Sequence, residues 1–123
     1  MLAILAAKML IEGTKFPEID KVFSGIIPAN FKITNDKTIC LITDVRTDTA
    51  IQGNNDFYGL TRQVEVQIFY KITNTVDFES FETRLMKLFK QNHWSIVDIR
   101  EHTIDPDTSQ VTAVFYVAHE KVI

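Results

Sequence analysis

Reactive side chains are few in this 123-residue chain: one cysteine, Cys40, and three histidines, His93, His102 and His119. Cys40 lies inside the apolar run Thr38-Ile39-Cys40-Leu41-Ile42. There a thiol acts as a small buried hydrophobe, since a reactive thiolate needs an electropositive and partly open setting. A lone thiol makes no internal disulfide, so the fold does not depend on an oxidising compartment. His102 and His119 fall toward opposite ends of an expected hairpin, too far apart to share a metal. Asp105, Asp107 and Thr108 offer oxygens, but a hard cation takes about six or more ligands and the glycine and terminal glutamate of a calcium loop are absent. Turn chemistry accounts for both aspartates. Asp44 and Asp48 have no base or nucleophile for a partner. Phe57, Tyr58 and Tyr116 could stack on single-stranded nucleic acid, yet no basic groove accompanies them. With no phosphate loop, dinucleotide fingerprint or paired-cysteine zinc pattern, the reading is a non-enzyme with no catalytic residue, no cofactor and no metal.

Charge and composition narrow the class further. Net charge is −3, and the 13 basic residues are scattered, which argues against a duplex-binding surface. The apolar share of 46% and charged share of 24% are those of a globular protein. Only four glycines and three prolines occur, leaving little room for disordered linker. The opening Met1-Leu2-Ala3-Ile4-Leu5-Ala6-Ala7-Lys8 lacks the basic start of an export signal and is far shorter than the ~20 residues that span a bilayer. A soluble intracellular chain of one domain, 1–123, with no membrane contact is the expectation.

The elements that must position these residues follow from periodicity. Residues 2–12 favour a helix whose polar stripe is only Lys8 and Glu12, so its apolar side, including Leu2, Leu5 and Met9, is wider than a surface helix needs. Either another layer or a neighbouring subunit should cover it. Gly13 is expected to end it, and Pro17 to open a second short helix through about Phe23. Thr38–Val45 reads as a buried strand. Arg46–Gly59, with the turn-forming Gly53-Asn54-Asn55-Asp56, reads as a long irregular loop. Its apolar Ile51, Phe57 and Tyr58 point to contact with a partner chain or with its own domain.

From Leu60 to Ile72 the alternation is clean, the mark of a half-buried antiparallel strand. Arg62 on the apolar side and Phe69 on the polar side are the exceptions, and Phe69 suggests an outer face that is not wholly solvated. Asp77 or Thr75 should cap a helix whose stripe is Phe78, Phe81, Leu85, Leu88 and Phe89, with Glu79, Glu82, Arg84, Lys87 and Lys90 on the remainder. Strands near Trp94–Ile104 and Gln110–Val122 complete a hairpin turned at Asp105–Thr108. A five-residue loop or a bulge would set Ile99 and Val97 opposite Phe115 and Val117. The predicted fold is α+β: a four-stranded antiparallel, or mixed, sheet of two hairpins with helices on one face, in the order α-α-β-β-α-β-β.

The stretch Val22-Phe23-Ser24-Gly25-Ile26-Ile27-Pro28, the strand Tyr58–Ile68, the pair His93-Trp94 and the turn Asp105-Pro106-Asp107-Thr108 together resemble a family of small tail proteins from siphophages and prophages of Gram-positive hosts. The resemblance spans nearly the whole chain and extends to the tail terminator, or tail completion, proteins of lambda-like phages. It implies a virion protein at the head-proximal end of the tail, assembled in the host cytoplasm. Its partners would be copies of itself in a hexameric ring, the tail tube protein, the head–tail connector, and DNA passing through without specific binding. Ile51, Phe57, Tyr58, Phe69, Leu2, Leu5 and Met9 are the expected interface residues. Alternatives are a head–tail connector component, a tail assembly chaperone absent from the finished particle, and a ferredoxin-like ligand-binding or regulatory module.

Overall fold

A computed structural model describes residues 1–31, 36–72 and 77–123. Its elements run α1 (Ala3–Thr14), β1 (Lys21–Ser24), β2 (Ile39–Gly53), β3 (Asp56–Phe69), α2 (Phe78–Gln91), β4 (Trp94–Ile99), β5 (Thr103–Ile104) and β6 (Val111–Val122). The strands form one six-stranded sheet in the order β1-β2-β3-β6-β4, with β5 also pairing β6. The sheet is mixed because β1 runs parallel to β2 while the other pairs are antiparallel.

This corrects the predicted four-stranded sheet and the order α-α-β-β-α-β-β: β1 takes the place of a helix, the strand expected near Trp94–Ile104 is broken into β4 and β5, and the long loop is paired. The second short helix is a turn followed by β1. Ile19 N–H closes that turn on the Phe16 carbonyl at 3.2 Å, and the Asp20 carboxylate then takes the Thr38 N–H at 2.8 Å, tying the chain to the start of β2. Pro17 sets φ for a turn as readily as for a helix. The long loop over Arg46–Gly59 is instead the far half of a β-hairpin. Asn54 and Asn55 stand at φ 52° and 62° between Gly53 and its partner Asp56, the two left-handed residues of a type I′ turn.

The core lies on one face of the sheet. Val64, Val66 and Ile68 of β3 are fully buried, flanked by Cys40 and Ile42 of β2 and by Phe115 and Val117 of β6. Both helices pack on this face, α1 through Ala3, Ala7 and Ile11, and α2 through Phe81, Leu85 and Phe89. Each large apolar side chain buried in this way contributes about 1.5–3 kcal/mol. Phe89 meets Trp94 and Phe115 edge-on, with ring centroids 5.4 Å and 6.1 Å apart, a favourable geometry for the ring quadrupoles. The Asp77 side chain caps α2 by accepting the Ser80 N–H at 3.2 Å; Thr75, the alternative cap, lies outside the described residues. Helix α1 runs one residue past Gly13, and Lys15 takes the left-handed capping conformation.

The β4–β6 pairing sets Ile99 opposite Phe115 as expected, but a bulge between Ile96 and Asp98 brings Ile96 opposite Val117 and leaves Val97 unpaired. A second irregularity, at Val45 between Asp44 and Arg46, interrupts the β2–β3 ladder. Bulges of this kind bend a strand and end or re-aim its pairing. Beyond this one, β2 and β3 stay paired, and β6 accompanies β3 as far as Gly59.

Candidate interaction surface

The residues with reactive chemistry are dispersed and occupied. Cys40 is fully buried, and loss of solvent pushes its thiol up to about 12, so it is not a thiolate. Among the described residues no three of His, Cys, Asp and Glu stand together as a metal cluster. Asp105 builds its own turn, accepting the Asp107 N–H at 2.9 Å on its carboxylate and the Ser109 N–H at 2.8 Å on its carbonyl. Tyr116 lies on the face of the sheet opposite the helices, with the Arg100 guanidinium 5.5 Å from its ring centre. Its hydrogen bond to Glu65, more than burial, pushes its phenol up.

His119 sits 3.2 Å from Arg62 through Nδ1, and its ring centre is 4.9 Å from that of Trp94. Burial, and then the Arg62 charge, holds its pKa below the usual histidine value. Arg62, the cation on the apolar side of β3, also donates from Nη1 to the Met1 carbonyl at 2.8 Å, while its buried Nε has no partner among the described residues.

One constellation escaped the sequence reading. Glu82, assigned to the polar side of its helix, is buried. Its Oε2 accepts the Tyr70 hydroxyl at 2.6 Å and meets His102 Nε2 at 2.7 Å. Phe78 stacks on Tyr70 with ring centroids 4.1 Å apart. Burial, with the neighbouring Glu82 carboxylate, pushes the Tyr70 phenol well up. A signal was present: Glu82 is four residues after Phe78 and three before Leu85, inside the apolar stripe. Among the described residues no nucleophile joins the three, and the network clamps α2 to the end of β3 and to the β4–β5 connection.

What stands out from the domain is a β-hairpin arm, two-stranded beyond Gly59, where the pairing of β3 with β6 ends. Beyond the Val45 bulge, β2 and β3 stay paired from Arg46↔Gln63 to Gly53↔Asp56, and nearly every residue from Asp44 to Tyr58 is exposed. At about 3.3 Å per residue, the tip stands about 23 Å beyond Arg46. Ile51, Phe57 and Tyr58 are 47%, 38% and 41% exposed there. The register puts Phe57 and Gly59 on one face and Tyr58 on the other. Ile51, at φ 55°, turns its side chain over Gly59. A left-handed conformation is costly for a β-branched residue, and an exposed site gives it no core packing in return.

The second apolar feature is the outer side of α1. Leu2, Leu5 and Met9 are 60%, 40% and 59% exposed. Among the described residues no further layer covers them, so the helix is not sandwiched. A cleft lined by Met1, Leu2, Val45, Leu60 and Arg62 joins this stripe to the root of the arm. Phe69 does not belong to either feature. It is half-buried at the opposite end of β3, paired with Ile39 and Thr112. On that side of the sheet Phe23 is buried, with Phe31 edge-on at 4.8 Å, so the chain after β1 shields part of this outer face.

Comparison with known proteins adds a family but no activity. No curated protein matches the chain. No helix among the described residues is long and apolar enough to cross a membrane. A family profile matches residues 3–122, nearly the whole chain, and this protein therefore belongs to that family, DUF806, whose description is a protein of unknown function.

Proposed function

We propose that the chain is a structural phage tail protein that caps the tail tube as a homo-oligomeric ring and joins it to the head connector. The observation that carries this reading is the arm. Beyond Gly59, where the pairing with β6 ends, the ribbon has two strands and no covering helix, so its tip adds little stability of its own. Its construction suits reach toward another protein. The resemblance carried by Val22–Pro28, Tyr58–Ile68 and His93-Trp94 to siphophage tail completion proteins supplies the setting. The uncovered Leu2–Leu5–Met9 stripe supports contacts between subunits. An acidic balance of −3 suits a ring through which DNA slides without being gripped.

On this reading the chain acts by geometry alone. Copies close a ring at the head-proximal end of the tail, one side of the ring meets the tube protein, and the other receives the connector. Deleting the gene from its phage or prophage tests the role. Heads and tails should accumulate separately in electron micrographs, and purified chain should restore joining. Complete infectious particles made without it would overturn the proposal. Tails that need the chain for assembly yet lack it when purified would mark it as a chaperone instead.

A further inference from the structure

The arm and the α1 stripe are two apolar surfaces on one chain that cannot meet within it. The root of the arm already lies beside α1, in the cleft that Met1 and Leu2 share with Val45 and Leu60. From there the paired strands run outward, and the tip stands about 23 Å away by strand rise alone. Ile51 and Phe57 therefore have to find their cover on another molecule or remain in water.

We infer that the arm tip of one copy, led by Ile51 and Phe57, docks on the exposed Leu2–Leu5–Met9 stripe of α1 in a second copy. Three observations select a second copy as the occupant. First, both halves of an apolar contact are present on this chain, and neither is covered. Second, the two surfaces are opposite in charge. The tip from Ile51 to Tyr58 carries Asp56 and no basic residue, while α1 and its cap carry Lys8 and Lys15 against Glu12. Third, Ile51 holds a left-handed backbone, φ 55°, that a glycine or asparagine would adopt with less strain. Strain of this kind at an exposed position points to a contact rather than to the fold.

Tip and stripe are different surfaces, so the contact is head-to-tail. Repeated, it closes a ring when the rotation per copy allows. The inference deepens the tail-completion reading and rests on it for the ring's place in a virion.

The test is the size of the purified full chain across a concentration series, by sedimentation velocity. The tip variant Ile51→Ser/Phe57→Ser and the stripe variant Leu5→Ser/Met9→Ser should each lose self-association by about thirtyfold or more, as expected when apolar anchors at the centre of an interface are removed. Mixed one to one, they should form a dimer and nothing larger, because each retains one intact surface. Ile51→Gly relieves the backbone strain, so it should fold at least as well and still associate less; it stands in if a double variant fails to fold. A monomeric wild-type chain, variants that assemble normally, or a mixture that stays monomeric would each overturn the contact. Association that ignores both variants leaves a ring built on other surfaces, whereas tails that complete without the chain overturn the tail role itself.

Discussion

Tyr70 places its hydroxyl 2.6 Å from Glu82 Oε2, so a phenol at the end of the central strand donates to a carboxylate on the helix that covers it. Glu82 is held from its other side by His102. A buried charge is tolerable only when its oxygens are occupied. Tyr70→Phe should therefore cost about 1.5–3 kcal/mol, the range for a hydrogen bond to a charged group. Glu82→Ala should cost more, since it strands the Tyr70 hydroxyl and opens a cavity. Urea unfolding of both variants measures the difference. A Tyr70→Phe variant as stable as the wild type would mean that water replaces the bond.

The Gly59 site has no room for a side chain. A Cβ there would stand 2.8 Å and 3.1 Å from Ile51 side-chain carbons and 3.3 Å from the Lys121 carbonyl. Gly59→Ala should destabilise the junction between arm and sheet by about 1–3 kcal/mol, the usual cost of overpacking. Adding Ile51→Ala should recover most of this, because the two closest atoms belong to Ile51. Amide hydrogen exchange along β2 and β3 is the sensitive readout, since opening the arm need not unfold the core.

Acid should weaken the protein in two stages. His119 has its pKa held below the ordinary histidine value of 6.5, by burial first and then by the Arg62 charge. As pH falls through 6.5 the unfolded chain takes up that proton before the folded one does, so stability declines until the folded pKa is passed. Glu18 titrates in the next window. Its hydrogen bond from Arg84 holds it below the ordinary glutamate value of 4.5. Its contribution is fully present above 4.5 and is lost as pH drops through the lower folded value. Unfolding free energies from pH 8 to pH 3 should show both declines. His119→Asn should remove the first, and Glu18→Gln should flatten the second.

Cys40 should be silent to thiol reagents in the native state. Burial pushes its thiol up to about 12, so almost none is thiolate at neutral pH. Labelling should appear only with denaturant and should follow the global unfolding curve. Rapid labelling in buffer would show that the β2 core opens locally.

The sequence made some of this plain and hid the rest for definite reasons. The alternation Val64, Val66, Ile68 was readable because β3 is wet on one face and dry on the other. The arm carries the same ladder, but with solvent on both faces it has no hydrophobic period and looks like a loop. Only Asn54-Asn55 betrayed a tight turn. Strand β1 is too short for a period to register, and Pro17 just before it is as compatible with a helix as with a turn. Glu82 was hidden by chemistry. A carboxylate inside an apolar stripe reads as an interruption unless its partners are known, and Tyr70 and His102 lie 12 and 20 residues away. The exposed stripe of α1 was legible as an excess of apolar side chains, although its openness was not.

The last strand has a practical consequence. Val122 pairs with Gly59, and the Ile123 N–H donates to the Tyr58 carbonyl at 2.9 Å. Any peptide fused after Ile123 would be presented in register to the bare edge of β3 at Phe57. It could zip up the arm as a third strand and occupy the tip around Phe57. An affinity handle at that end would thus act as an intramolecular competitor, and joining or association measured with it should be repeated after the handle is cut away.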